Sequence, residues 1–205
     1  MLTKEQLRIF GIFKKELFTS LTFRQVKEQS KQNSNNIVQI ALKEFQSQKI
    51  VKTINIADIT TYSLNLENNL TLSYLSLLNE LELIKIKLPH ELLQEIQNRV
   101  FKHTPFFTLI IFGGYAKNKA NENSDLDIAL IAESEQAKKE ISPYLETIKR
   151  RELLKIDYHI FTKDEFLELL DADYENLGKQ IYKNNLVYYG YTQYLNIIKV
   201  KKIER

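Results

Sequence analysis

The sequence predicts an α+β protein built from two parts. The first 65 residues read as three short helices followed by two extended runs. Farther along, an apolar run of strand length breaks into two glycines and is followed by two strand-like segments that carry acidic residues. Charge divides the chain in the same way, because the first 65 residues hold ten Lys or Arg against five Asp or Glu, whereas the whole chain has a net charge of only +3.

Composition excludes several classes of protein. Of the 205 residues, 43% are hydrophobic, and 11 Phe with 11 Tyr supply enough material for a core, so the chain is not a disordered tail. Neither a membrane-spanning run nor the apolar centre of a signal peptide is found, and we expect a cytoplasmic protein with no membrane partner. The absence of cysteine excludes disulfides, thiolate nucleophiles and Cys-bound zinc, so any bound metal is expected to be hard and held by oxygen.

The N-terminal elements follow from capping residues and apolar spacing. Thr3 is placed to cap a helix that runs to about Leu17, and Thr22 to open a short second helix. A third helix is predicted over 35–48, and the extended runs over 50–56 and 59–64 form a hairpin around the Ala57-Asp58 turn. We expect the third helix to bury Ile37, Ile40, Ala41 and Phe45 and to expose Asn36, Gln39, Lys43 and Gln46.

Three helices and a hairpin predict a winged helix over 1–68. The run from Asn35 to Phe45, with the following hairpin to Asn65, resembles the winged helix-turn-helix of archaeal and bacterial regulators. That resemblance implies that the third helix enters the major groove of duplex DNA and that the hairpin lies along the backbone. The candidate DNA-binding residues are Asn36, Gln39, Lys43 and Lys52. A protein-docking module is the alternative.

A helical connector over 69–104 is expected to follow. A leucine-rich helix is predicted from Leu70 to about Lys87, and Pro89 begins another that runs to about His103. Both are interpreted as packing elements, and a homodimer seam is the alternative. The remaining 105–205 form the third region, in which a helix, a short strand and a last helix from Tyr191 end the chain. We expect the tyrosines there to fill a core rather than to stack on a base.

The residues with chemical potential lie on three predicted strands. The apolar run from Phe107 to Phe112 breaks into Gly113-Gly114, and a short helix separates it from a strand that begins at Ser124. Because side chains alternate along a strand, Asp125 and Asp127 project together on one side. Two carboxylates so close together favour a divalent cation between them.

A third predicted strand, 153–161, supplies another carboxylate. Asp157 and His159 share one face of that strand, and Ile156, Tyr158 and Ile160 share the other. Asp157 is the natural third ligand, whereas His159 is interpreted as a structural hydrogen-bonding residue and is left out of the site. Gly113 and Gly114 allow the backbone to approach a phosphate closely, since neither residue has a Cβ atom.

The segment from Phe112 to Ile128 resembles the signature of the DNA polymerase β-type nucleotidyltransferase superfamily, and in particular the minimal nucleotidyltransferases. The resemblance implies a mixed sheet flanked by helices, with Asp125, Asp127 and Asp157 as catalytic residues that hold two Mg²⁺ ions, Mn²⁺ being an alternative. Gly113, Gly114, Lys117 and Ser124 are the implied nucleotide-binding residues. Two departures from the pattern are Gly114 in place of the commoner Ser, and Lys117-Asn118 in place of Arg-Gly.

The resemblance implies transfer of a nucleoside monophosphate from an NTP, with ATP favoured, to a hydroxyl acceptor. Protein, RNA and small-molecule acceptors all stay open, and proteins that resemble this chain include members of toxin–antitoxin pairs, so a toxin is a candidate partner. The alternative function is a DNA-binding transcriptional regulator whose transferase domain senses nucleotide or is inactive.

Overall fold

The computed structural model of the protein describes residues 1–15, 17–121 and 124–203. The chain divides into two compact units, Met1–Leu78 and Asn79–Arg205. In the described part of the chain, no helix has both the length and the apolar character needed to cross a membrane. The predicted DNA-contacting residues all lie in the first unit, and the predicted transferase residues all lie in the second.

The first unit contains the predicted helices and hairpin. Thr3 begins the first helix, since its hydroxyl accepts a hydrogen bond from the Gln6 N–H at 3.2 Å. Thr22 forms a complete capping box with Gln25 at the start of the second helix. The elements are α1 Lys4–Lys15, β1 Leu21–Thr22, α2 Phe23–Gln29, α3 Asn35–Ser47, β2 Val51–Ile56, β3 Ile59–Leu64 and α4 Asn69–Leu83, the last of which contains the boundary between the units.

The predicted buried face of α3 is partly wrong. Ile37 and Ile40 are 38% and 52% exposed, and Val38 and Leu42 are buried in their place, beside Ala41 and Phe45. Apolar residues occupy positions 37, 38, 40, 41, 42 and 45, which is more than half of the helix circumference. The sequence therefore allows the apolar stripe to be placed about one residue away from where it actually packs.

A three-stranded sheet, ordered β1-β3-β2, completes the first unit. Strands β2 and β3 form an antiparallel hairpin in which Ile56 pairs with Ile59 across the two-residue turn. Ala57 in that turn has a positive φ of 50°, which suits the primed turns that join antiparallel strands. The two-residue strand β1, which was not predicted, pairs with β3 at Tyr62 and Thr61.

The second unit contains a mixed four-stranded sheet, ordered β6-β5-β4-β7. The pairs β4–β5 and β4–β7 are antiparallel, whereas β5 and β6 run parallel. The elements after α4 are α5 His90–Phe101, β4 Phe107–Ile111, α6 Gly113–Ala116, β5 Leu126–Ala132, α7 Glu135–Arg151, β6 Ile156–Thr162, α8 Lys163–Asp171, α9 Leu177–Lys183, β7 Leu186–Tyr189 and α10 Tyr191–Ile203.

Helices cover this sheet and complete its core. Strand β5 contributes Leu126, Ile128 and Leu130 to a buried cluster that also contains Ile96 of α5 and Ile141 of α7. Helices α8 and α10 also contact the sheet. Because the central strand β4 is buried at all five positions, it reads as a continuous apolar run.

Several features of the second unit were not predicted. Helices α7 and α8 were missed, and β6 begins at Ile156 rather than Leu153, which is fully exposed. Tyr191 and Tyr194 are buried, as expected for core residues.

The buried Asn79 side chain is another feature that was not predicted. It bonds the edge strand β7, since its Nδ2 donates to the Val187 carbonyl at 2.7 Å and its Oδ1 accepts from the Val187 N–H at 3.3 Å. Both polar groups of this amide are therefore satisfied inside the second unit.

Candidate active site

The Gly-Gly turn lies directly against the carboxylate of Asp127. Gly113 has a φ of +64°, which L side chains rarely adopt, and a Cβ atom at this position would lie 1.8 Å from Asp127 Oδ2. The Phe112 N–H also donates to the Asp127 carbonyl at 3.0 Å, which fixes the end of β4 beside β5. Glycine at position 113 is therefore required by the backbone conformation and by the carboxylate that occupies the space of its missing side chain.

Asp127 is the half-buried acid of the site. Burial, the largest cause, raises its pKa, and the negative charges of Asp157 and Asp125 raise it further. A hydrogen bond from the backbone N–H of Gly114 and the proximity of His159 act in the opposite direction. The carboxylate thus lies where it is costly to keep charged without a cation, and this cost arises from its neighbours as well as from burial.

Asp157 stands beside Asp127 on the neighbouring parallel strand. The register pairs the two residues directly, so their side chains project from the same face of the sheet. Asp157 is exposed, and its Oδ2 lies 3.3 Å from Nε2 of His159. The structure therefore brings together the predicted acids on β5 and β6.

His159 is the residue of this cluster that the sequence interpretation left out. It lies two residues beyond Asp157 on the same face of β6, and its ring is near those of Phe112 and Phe161, with centroid distances of 6.3 Å and 6.2 Å. The alternation of side chains had already placed His159 on the face of Asp157. What the sequence could not supply was the distance between the two side chains.

The remaining predicted nucleotide-binding residues have different surroundings. An added Cβ at Gly114 would meet nothing closer than the Ala120 Cα at 3.9 Å, so a larger residue fits there. Lys117 is exposed just after α6. Ser124 accepts a hydrogen bond from the Asn121 N–H at 2.9 Å, which closes a turn immediately before β5. The neighbouring positions 122 and 123, which belong to the motif, lie outside the described residues.

The three aspartates fit a divalent cation in residue type. All of their donors are carboxylate oxygens, which is the chemistry that Mg²⁺ prefers, and a cation would relieve the repulsion that raises the pKa of Asp127. Within residues 1–15, 17–121 and 124–203, however, no three His, Asp or Glu side chains are grouped closely enough to hold one ion. The residue types and the strand register fit the metal, whereas the side chains are not gathered around one point.

A pocket of about 430 Å³ lies next to the Gly-Gly turn. Its lining includes Tyr115, Asn118 and Ala120 from the segment that follows the glycines, together with Lys87 and Pro89. The volume is in the range of small-molecule sites. The three aspartates do not line it, so the assignment of the site depends on the carboxylates and the glycine turn rather than on this pocket.

The predicted DNA-contacting residues lie in the first unit. Asn36, Gln39 and Lys43 on α3 and Lys52 on β2 are all exposed. Ile40 is exposed on the same helix, one residue from Gln39 and three from Lys43. The outer surface of α3 is therefore a mixture of polar and apolar side chains.

The strand order, the glycine turn and the paired acids can be compared with known families. Residues 94–191 match the model of the family Polymerase beta, Nucleotidyltransferase. The matched range is just under half of the chain, and it contains all four strands of the second sheet and every predicted catalytic and nucleotide-binding residue. The Polymerase beta nucleotidyltransferase match indicates transfer of nucleoside monophosphates, with an NTP as substrate, as the general activity of this part of the chain. No curated protein and no solved structure gives a significant match to the chain.

Proposed function

We propose that the second unit is a Mg²⁺-dependent nucleotidyltransferase that moves a nucleoside monophosphate, preferentially from ATP, to a hydroxyl acceptor. The observation that supports this most strongly is the half-buried Asp127 carboxylate, which lies against Gly113 and beside Asp157. An acid buried in this way destabilises its own charged form, and a purely structural sheet has no need of it. The family match to 94–191 supports the same assignment.

The proposed reaction is an in-line displacement at the α-phosphorus of the NTP. The acceptor oxygen forms a bond to that phosphorus while the bond to the bridging oxygen of pyrophosphate breaks, and pyrophosphate leaves with the bonding electron pair. In this proposal the Asp157 carboxylate, which is exposed and stands on the acceptor side, takes the hydroxyl proton. The Gly113-Gly114 turn and the Lys117 ammonium bind the triphosphate, and Ser124 holds the turn that precedes Asp125.

Asp125, Asp127 and Asp157 are the residues proposed to hold the metal. Bound Mg²⁺ would neutralise phosphate charge and stabilise the charge that develops on the attacking and leaving oxygens. This chain supplies the carboxylates from adjacent strands, and the Gly114 N–H orients one of them. Mn²⁺ has the same preference for oxygen ligands and is expected to substitute.

Labelled nucleotides test the type of reaction. We expect label to move from an α-labelled NTP to an acceptor in a lysate of the source cells, in the presence of Mg²⁺, with release of unlabelled pyrophosphate. The labelled product also shows whether the acceptor is a protein, such as the toxin of a toxin–antitoxin pair, an RNA or a small molecule. Transfer of label from a γ-labelled NTP would show a kinase instead and would contradict the proposal.

A variant of Asp157 tests the proposed division of roles among the acids. Asp157→Asn keeps the size of the side chain and removes the proton acceptor, so we expect NTP binding to be retained and single-turnover transfer to be slowed. Asp173→Asn, a change at an exposed acid of the same unit, is the matched control and should leave both quantities unchanged. Equal loss of binding and of transfer in Asp157→Asn would contradict the assignment of Asp157 to the acceptor side.

DNA binding by the first unit is the second candidate function, and with it the chain would be a transcriptional regulator. We propose that 1–68 is a winged helix-turn-helix, followed by a connector over 69–104 and the transferase region over 105–205. The supporting observation is the set of exposed polar side chains on α3 and β2 in a unit with an excess of basic residues.

Salt dependence tests this second function. If the unit binds duplex DNA through phosphate contacts, the logarithm of the affinity should fall with the logarithm of salt concentration by about 0.9 per contact. Changing Lys43 and Lys52 to Ala should reduce that slope, whereas changing Lys14 to Ala on α1 should not alter it. Binding that is independent of salt, or absent at low salt, would contradict a role in DNA recognition.

A further inference from the structure

The outer face of the β2–β3 hairpin is apolar, and neither proposed activity uses it. Ile54, Ile56 and Ile59 are 54%, 67% and 57% exposed. Their positions in the register place them on one face, because Ile56 pairs with Ile59 and Ile54 lies two residues before Ile56. The opposite face of the hairpin carries the buried Val51 and Leu64. We call these three isoleucines the hairpin patch.

The hairpin patch lies at an open edge of the sheet. Among the residues that the structure describes, β3 is the only strand that pairs with β2, so the other side of β2 has no strand partner. Five of the six residues of β2 are exposed, and the strand contains neither Pro nor Gly. A long exposed edge of this kind is a template for pairing with another strand.

We propose that this edge is a homodimer interface, in which β2 pairs antiparallel with β2 of a second copy of the chain. The two copies would be related by a two-fold axis perpendicular to the sheet, at Asn55. In that register Ile54 of one copy lies opposite Ile56 of the other, and the two hairpin patches become continuous on one face. The inference is independent of the nucleotidyltransferase activity.

Charge complementarity supports the same register. When Asn55 lies opposite Asn55 of the second copy, Lys52 lies opposite the turn residue Asp58, and the two-fold axis produces this pair twice. Both residues are exposed, and they are the charged residues nearest to the hairpin patch in sequence. Moving the register by two residues toward the start of β2 would place Lys52 opposite Ile56 and would remove the favourable pairs.

The backbone pattern permits this pairing. Residues of an antiparallel strand point their N–H and C=O groups alternately to one side and to the other. Because Ile56 and Ile59 flank a two-residue turn, the bonding groups of Ile56 and Ile54 point toward β3. Thr53 and Asn55 then direct theirs to the open edge, so the Asn55 pair can exchange hydrogen bonds across the two-fold axis. The neighbouring Ile54–Ile56 pairs are then of the closer, non-hydrogen-bonded type.

Sedimentation of the full chain over a range of concentrations tests the dimer. We expect the wild type to pass from monomer to dimer as concentration rises from micromolar toward millimolar, since the interface is small. Ile54→Lys should weaken dimerisation by at least about tenfold, because a charge would replace an apolar contact at both symmetric positions. Ile40→Lys, at an isoleucine of similar exposure on α3, is the matched control and should leave the dissociation constant unchanged.

A charge-reversal pair tests the register itself. Lys52→Asp and Asp58→Lys each place like charges opposite one another twice, and each should weaken the dimer by roughly tenfold. The double variant restores opposite charges and should return the dissociation constant to near its wild-type value.

Three outcomes would contradict the proposal or its register. A wild-type chain that stays monomeric throughout would overturn the dimer, and so would equal effects of Ile54→Lys and Ile40→Lys. Failure of the double charge-reversal variant to recover would overturn the register. All of the substituted residues are exposed, and circular dichroism of each variant establishes that it is folded.

Discussion

The two sheets of this protein differ in how much a side chain reveals about its role. In the second unit, β4 is buried at every position and β5 at six of its seven, the exception being Asp127, which is half-buried. In the first unit, five of the six residues of β2 are exposed, although most of them are apolar or uncharged. A carboxylate stands out in the first environment, and exposed isoleucines stand out in the second. The buried sheet therefore points to chemistry, and the exposed one points to association.

The largest expected effect is at Asp127. Asp127→Asn should lower the transfer rate by at least about a hundredfold, because it removes a charge where the phosphates react. In the absence of metal the melting temperature should stay the same or rise, since the pKa of Asp127 is raised by burial and by nearby acids. Mg²⁺ should stabilise the wild type more than the variant. Thermal melts with and without Mg²⁺, together with transfer assays, measure these effects, and unfolding of the metal-free variant would show a structural role.

Two adjacent glycines sharpen the contrast within the buried unit. Gly113→Ala should destabilise the protein by roughly 2 kcal/mol or more, because it places a side chain at a positive φ and forces the Asp127 carboxylate to move. Transfer should be lost with it. Gly114→Ala is the matched control, with a change in stability within about 0.5 kcal/mol, since its added Cβ meets only an ordinary contact. Chemical denaturation of both variants measures the difference, and equal costs would contradict the assigned role of the turn.

The comparison of the sheets can be tested with isoleucines alone. Ile110→Ala in the fully buried β4 should cost about 2–5 kcal/mol in the free energy of unfolding. Ile54→Ala in the hairpin should change it by no more than about 0.5 kcal/mol when measured on dilute, monomeric protein. A cost at Ile54 comparable with that at Ile110 would mean that the hairpin patch packs within its own chain.

A surface ion pair of the second unit gives the smallest predicted effect. The Lys138 ammonium contacts Glu165 at 2.5 Å and 2.6 Å, and this contact, with the Thr162 N–H, lowers the pKa of Glu165 below its ordinary value of 4.5. The stability that the charged form contributes is present above pH 4.5 and is lost as the pH falls through the lowered pKa. Because both side chains are partly exposed, it amounts to less than about 1 kcal/mol.

Glu165→Gln isolates this contribution, since an amide keeps the size of the side chain and can still accept from Thr162. The difference in melting temperature between wild type and variant should be visible at neutral pH and should disappear in acid. A difference that stays constant down to the lowest pH would contradict an ionic origin.

Much of the second unit could be predicted because its signals are local. The apolar run from Phe107, the glycines and the alternating acids define their elements from a few residues each. Helices α7 and α8 were missed, although Ser134 and Thr162 cap them in the usual way. Pro143 lies inside α7, where a proline ordinarily interrupts a helix, and α8 has only nine residues and follows β6 without a loop.

The orientation of α3 could not be predicted for a different reason. Its apolar residues cover so much of the helix that the sequence leaves the buried face undetermined. Only packing against the rest of the first unit selects Val38 and Leu42 over Ile37 and Ile40.

The candidate site was predictable in its residues and less so in its contacts. Alternation along the strands placed Asp127 and Asp157 on faces that the observed parallel register brings together. The sequence associates Gly113 with a phosphate, whereas the structure adds a nearer reason for glycine, the carboxylate of Asp127. The proximity of His159 and Asp157 depends on side-chain rotamers, which a pattern of residue types does not determine.

The bonds between Asn79 and Val187 have a consequence for the order in which the chain can fold during synthesis. They join positions 108 residues apart, and β7 pairs with β4 over a similarly long separation. The ribosome makes the chain from its N-terminus, so the second sheet cannot be completed until β7 has been translated. All the strands of the first sheet lie within 64 residues and can pair much earlier. Nascent chains would therefore carry an assembled first sheet while β4 still waits for its last partner.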